Sequence, residues 1–220
     1  MYPLGWGWDK AAHFVEKQAH GEISAEDLAY KIADTVSELY SGAPGDDVSI
    51  VVIKVRHKFT VTVLTGPPVD RNDDEALISR FLKRTGKLAV CGGTTAKIVA
   101  HHLGQPLEVD LKTMTPEVPP MVRLEGIDLV SEGILTLTSV NGLLRSGTEK
   151  EAVRFWTDGA ANLLRVLLDA DHIHFIVGQA VNPAYQNPEL PHQLGIRLGV
   201  VREIAEELRS RGKEVTIGPI

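Results

Sequence analysis

The sequence holds a single cysteine, Cys91, in 220 residues. No internal disulfide can form, and a lone thiol suits a reducing, cytoplasmic setting. No run approaches the roughly 20 apolar residues of a membrane span, so no membrane partner is expected. Positive charge is in short supply: Lys and Arg total 23 against 29 Asp and Glu, a formal net charge of -6. Without a concentrated basic face, nucleic acid is excluded as an expected partner. Aromatic residues make up only 5%, yet Trp6 and Trp8 both fall within the first eight residues. That start is no secretory signal, because it has no basic n-region, Pro3, Gly5 and Gly7 break it, and Asp9 and Lys10 follow at once.

What is present is a globular composition, 43% hydrophobic and 24% charged. Low complexity and internal repeats are absent, and the chain is long enough for a sizeable core. Ser24 reads as a helix cap, with Glu26 and Asp27 in the first turn and Leu28, Ile32, Val36 and Leu39 as the apolar stripe. The β-branched run Val48 to Val55 predicts a strand covered on both faces, and Phe59 to Leu64 a second one. A helix is expected over 70–86. Strand, turn and helix then alternate: a strand at 88–90 with a helix at 96–103, a strand at 127–130 with a helical pattern from Ile134 to Leu144, and a long helix over 148–168. A strand at 173–177, a proline-broken loop at 178–195, a helix at 196–211 and a last strand at 214–217 complete the chain. This alternation predicts an α/β fold, a mostly parallel sheet with helices on both faces. The expected division is a first segment, 1–57, and an α/β domain, 58–220.

In such a sheet, ligands bind beyond the carboxyl ends of the strands. Four turns sit there: Thr65-Gly-Pro-Pro68, Cys91-Gly-Gly-Thr-Thr95, Ser131-Glu-Gly133 and Gly178-Gln-Ala-Val-Asn182. Gly92 and Gly93 let backbone amides approach an anion, and Thr94 and Thr95 add hydroxyls at a helix start. The spacing matches neither the dinucleotide fingerprint nor the P-loop, so a phosphate or carboxylate cradle is the expectation, with an ordinary capped connection as its alternative. Glu132, beside Ser131, is a candidate base or ligand, or else a solvated turn acid. Gln179 and Asn182 supply amides that recognise neutral polar groups, or belong to a rigid structural loop or subunit contact. His172 and His174 share one strand face and His101-His102 close a helix, but no third metal ligand accompanies either pair. Cys91 reads as a small core residue beside the glycine turn, or as a reactive thiol helped by the helix N-terminus. Asp46 and Asp47 open the 48–55 run, as a strand-initiating turn or as part of a divalent-cation site.

Gly45-Asp-Asp-Val-Ser-Ile-Val-Val-Ile53 resembles the closing metal-binding motif of the SpoIIE-type branch of metal-dependent protein phosphatases, the phosphatase 2C superfamily. Leu4-Gly-Trp-Gly-Trp8 and the helix carrying Glu26-Asp-Leu-Ala29 resemble the segments before that motif. The resemblance covers the first 57 residues. It implies a partial α+β phosphatase segment, with Asp46 as a Mn²⁺ or Mg²⁺ ligand, Asp47 as its supporting neighbour, and a phosphoserine or phosphothreonine protein as substrate. The family's earlier acidic motifs have no counterpart here, and one aspartate pair cannot build a two-metal site. The expectation is a chain starting inside that domain and inactive alone, with Trp6 and Trp8 shaped to pack on strands it lacks. Residues 58–220 are similar to the region that follows such a phosphatase domain in a subset of proteins. Three readings of the whole follow: phosphatase segment, small-anion-binding regulatory module, and dimerisation module with an apolar helix face around Phe155 and Trp156.

Overall fold

A computed structural model describes residues 6–20, 23–42, 47–180 and 193–219. The chain divides into two compact units, 1–57 and 58–220.

The first unit contains α1 (Trp8–Gln18) and α2 (Ala25–Leu39). The sequence reading did not include α1, whose short amphipathic pattern follows a glycine-broken start. Ser24 caps α2 as expected, its hydroxyl accepting the Asp27 N–H at 2.9 Å. Leu28 is the one buried residue of these two helices. Trp6 packs edge-on against Phe14, with ring centroids 5.2 Å apart, whereas Trp8 is 83% exposed. The buried strand expected at Val48 to Val55 is not formed: residues 47–59 run without strand pairing. β-branched residues favour extended backbone, but a strand also needs a neighbouring edge to accept its N–H groups. A trace of strand character survives in the alternation of half-buried Ile50 and Val52 with Val51, Ile53 and Val55, which are 83%, 82% and 92% exposed.

The second unit is an α/β fold with one seven-stranded mixed sheet: β1 (Thr60–Thr65), β2 (Lys87–Cys91), β3 (Glu108–Asp110), β4 (Met121–Leu124), β5 (Ile127–Ser131), β6 (His172–Val177) and β7 (Glu214–Pro219). Their spatial order is β3-β4-β5-β2-β1-β6-β7. Pairings from β5 through β2, β1 and β6 to β7 are parallel; β3 and β4 add an antiparallel edge that the sequence pattern did not disclose. Those two strands are short and border polar turns, which hides their period.

Helices α3 (Asp74–Leu82), α4 (Gly93–Leu103), α5 (Ile134–Arg145), α6 (Gly159–Asp169) and α7 (Gln193–Ser210) cover the sheet. Phe81, Ile78 and Val99 of α3 and α4 pack with Leu64, Val90, Val130 and Ile176 on one face. Leu137, Leu163, Leu164 and Ile204 of α5 to α7 pack with Val61, Val63, Ile173 and Phe175 on the other. The chain moves one way from β1 through β2 to β5 and then returns to the far side of β1 at β6. Right-handed crossovers in two directions place the helices on opposite faces, and the reversal puts a topological switch between β1 and β6.

The long helix expected over 148–168 is a correction. After α5, Gly147 takes a φ of 73°, and residues 149–156 form successive turns. A new helix begins only where Asp158 accepts the N–H groups of Ala160 and Ala161 at 2.9 and 3.0 Å. Phe155 and Trp156 are exposed, but in those turns and not on a helix face.

Candidate functional site

Strands β1, β2, β5 and β6 end side by side. Thr65 is in register with Cys91 and with Val177, and Cys91 with Ser131. The next residue of each chain path is Gly66, Gly92, Glu132 and Gly178, so the spatial order across the carboxyl edge is Glu132, Gly92, Gly66, Gly178. Three neighbouring positions carry no side chain. Backbone proximity requires this in part: a Cβ on Gly178 would lie 2.1 Å from the Gly66 carbonyl oxygen, and one on Gly133 would lie 3.3 Å from Gly92 Cα. Gly66 and Gly92 also have φ of 81° and 140°, where a side chain is strained.

The N-termini of α4 and α5 open at this edge, their positive ends directed there. At α5, Glu132 Oε2 accepts the Leu135 N–H at 3.0 Å. At α4, Gly92 occupies the cap position with no side-chain hydrogen bond. The helix starts at Gly93, three residues before the expected Ala96, so Thr94 and Thr95 lie within its first turn and do not cap it. The turn after β1 is a poor cradle, since Pro67 and Pro68 have no N–H to donate.

The central cation at this edge is Arg197, in the second turn of α7. It is half-buried, and its Nη1 donates to the Gly178 carbonyl at 3.3 Å. A Cβ on Gly66 would fall 2.4 Å from that nitrogen, so the guanidinium lies against the glycine backbone. Burial pulls Arg197 below the ordinary arginine range, and the Glu132 carboxylate partly restores it. Yet no described carboxylate comes within ion-pair distance of it. Thr65 adds a fully buried hydroxyl with no hydrogen-bond partner among the described residues. It follows Val61 and Val63 in the strand period, so it faces the α5–α7 layer that carries Arg197.

The structure thus brings Gly92, Gly93, Thr94, Thr95, Ser131 and Glu132 to one edge, with Gln179 exposed just past β6. Ser131 and Thr95 are buried, while Gly93 and Thr94 are exposed. The Ser131 hydroxyl donates to the Glu132 carbonyl at 3.0 Å and lies 3.5 Å from Cys91 Sγ. Cys91 itself is buried, and burial pushes its thiol up to about 12, which makes it a core residue and not a nucleophile. Asn182 lies outside the described residues. Sequence reasoning missed Arg197 because it is one of several charges in a helical pattern, and only the fold sets it over the glycines.

Asp46 also lies outside the described residues, and Asp47 is exposed. Among the described residues no group of three His, Cys, Asp or Glu side chains could hold a metal ion, so these residues alone do not fit the two-metal site that the resemblance implies. His174 Nε2 lies 3.3 Å from Arg84 Nη2, and His174 Nδ1 lies 2.6 Å from Thr216 Oγ1. A cation beside the ring nitrogen suits a structural histidine, not a ligand. A groove of about 600 Å³ lies at the antiparallel edge, lined among others by Glu108, Asp110, Arg123 and Asp128. Two of its acids are engaged: Asp110 pairs with Arg123 at 2.9 Å, and Asp128 accepts the Leu88 N–H at 2.8 Å. The glycine row, with Arg197 and the buried Thr65 hydroxyl beside it, is the candidate site.

No family model, curated protein or solved structure matches this chain.

Proposed function

We propose that residues 58–220 bind a small phosphorylated or carboxylated metabolite at the carboxyl edge of the sheet and act as a regulatory module. The observation that carries this reading is Arg197, a half-buried cation with no described carboxylate in ion-pair range, lying on a row of side-chain-free backbone. Desolvating a guanidinium without a partner is costly, and a bound anion relieves that cost. The buried, unpartnered Thr65 hydroxyl and the uncapped α4 terminus supply further donors. The test is thermal unfolding of the 220-residue chain with inorganic phosphate and with small carboxylates. A ligand present at a hundred times its Kd stabilises by about 2.7 kcal/mol, which raises Tm by roughly 8 °C in a unit of this size. Arg197→Gln should remove that rise. A rise of equal size in the variant would place the ligand elsewhere.

A second reading concerns residues 1–57, which we take as a segment of a SpoIIE-type, Mn²⁺- or Mg²⁺-dependent protein phosphatase. It is favoured by the exposed row Val51, Ile53 and Val55, a strand pattern without a strand partner among the described residues. On this reading the chain alone does not hydrolyse a phosphoserine peptide in Mn²⁺, and addition of the earlier acidic motifs confers that activity. Inactivity of such an extended protein would remove the reading.

A further inference from the structure

The two ends of the glycine row carry opposite charge. Glu132 stands at the β5 end and Arg197 lies over Gly66 and Gly178 at the other, with Gly92 between them. Two strand spacings separate the Glu132 and Gly66 positions, roughly 10 Å. Between the Glu132 and Arg197 side chains themselves no ion pair is formed among the described residues, although the Glu132 carboxylate is near enough to act on the guanidinium. The intervening residue has no side chain to fill the space. One Glu132 oxygen is taken by the Leu135 N–H; the other, Oε1, accepts no hydrogen bond from a described residue.

A simple anion satisfies only half of this arrangement. Seated on Arg197, inorganic phosphate or acetate lies close to the Glu132 carboxylate, an acceptor-only group that repels it. A ligand whose anionic group meets Arg197 and whose cationic donor meets Glu132 satisfies both walls. An α-carboxylate and an α-ammonium on one small molecule answer both groups at once, each through a charge-assisted hydrogen bond of about 2.8 Å. The neutral sum of Arg197 and Glu132 also matches a ligand of no net charge.

Resting on the anion-site reading above, we infer that the occupant is a small zwitterion of the amino-acid class, its carboxylate held by Arg197 and its ammonium by Glu132. The decisive variant is Glu132→Gln, which keeps an oxygen for the Leu135 N–H and so preserves the α5 start. Binding of each of the twenty standard amino acids, propionate and inorganic phosphate to the full chain is measured by calorimetry at low salt. At least one amino acid should bind more tightly than propionate. Glu132→Gln should weaken that binding about ten-fold while leaving phosphate and propionate unchanged or tighter, because a like charge has been removed. Arg197→Gln should weaken all three classes. If phosphate and propionate bind through Arg197 but no amino acid exceeds them, or if Glu132→Gln weakens every ligand alike, the zwitterion assignment is overturned and the anion site stands. If nothing binds in an Arg197-dependent way, both fall.

Discussion

A methyl group on Gly178 would sit 2.1 Å from the Gly66 oxygen and 2.3 Å from the Pro67 oxygen, and both are main-chain atoms that cannot swing aside. The β1 and β6 ends would have to separate at the switch point. Gly178→Ala is therefore expected to cost about 3 kcal/mol or more, the range of severe core lesions, and urea unfolding measures it. Gly93→Ala is the matched control: its Cβ meets nothing within 4 Å, and alanine suits a helix better, so stability should be unchanged or slightly higher. A large loss at Gly93 would mean that the glycine row is a sensitive region in general and not a set of specific contacts. Single side chains also set a pH response. Burial, followed by the charges of Arg84, His172 and Arg80, holds His174 below the ordinary histidine value of 6.5. The neutral ring accepts from Arg84 through Nε2 and donates from Nδ1 to Thr216. The folded state thus binds fewer protons than the unfolded chain once pH falls below 6.5, so stability drops as pH falls from that value toward the lowered folded pKa. His174→Gln should flatten that part of the Tm-against-pH curve; an unchanged slope would assign the response to other groups.

At the level of elements, the 48–55 segment and α6 teach opposite lessons. Eight residues rich in Val and Ile gave the strongest strand signal in the sequence, yet they pair with nothing among the described residues. Propensity sets the conformation of a backbone but does not supply the second edge that turns an extended segment into a sheet. Hydrogen exchange tests this: amides of residues 48–57 should exchange nearly as fast as a free peptide, and those of Val63 and Leu64 about a thousand-fold more slowly or beyond. Strong protection at 50–54 in the isolated chain would mean that a strand partner exists after all. In α6 the local cap signal was present but overlaid by a continuous apolar periodicity. Asp158 followed by glycine is a cap, and Val153 reaches the core from a turn, so apolar spacing ran on through a break in the helix. Elsewhere, strands β1, β2, β5, β6 and β7 and helices α2 to α5 and α7 were legible as elements, with ends displaced by a few residues, because burial on both faces writes continuous apolar runs.

Across the second unit, alternation of strands and helices was enough to predict a mostly parallel sheet with helices on both faces, and the sheet found is of that kind. Strand order was not legible, since nothing in a run of Val and Ile names its neighbour; the order comes from how four crossovers pack on a twisted sheet. The candidate site shares that division. Gly92, Gly93, Thr94, Glu132 and Gln179 announced themselves as turn residues after strands, a consequence of chain direction alone. Arg197 and Thr65 did not, being an ordinary helical charge and an ordinary strand hydroxyl until the fold set both at the β1 end. What the sequence determined by itself was local: composition, the type of most elements, the glycines that let backbones meet, and a lone cysteine that ends in the core. What only the tertiary structure decided was adjacency. The β1–β6 switch, the glycine row and the separated pair of Arg197 and Glu132 join residues up to 131 positions apart, from Gly66 to Arg197. Burial and charge between such residues depend on distance in space, which a linear order of side chains does not contain.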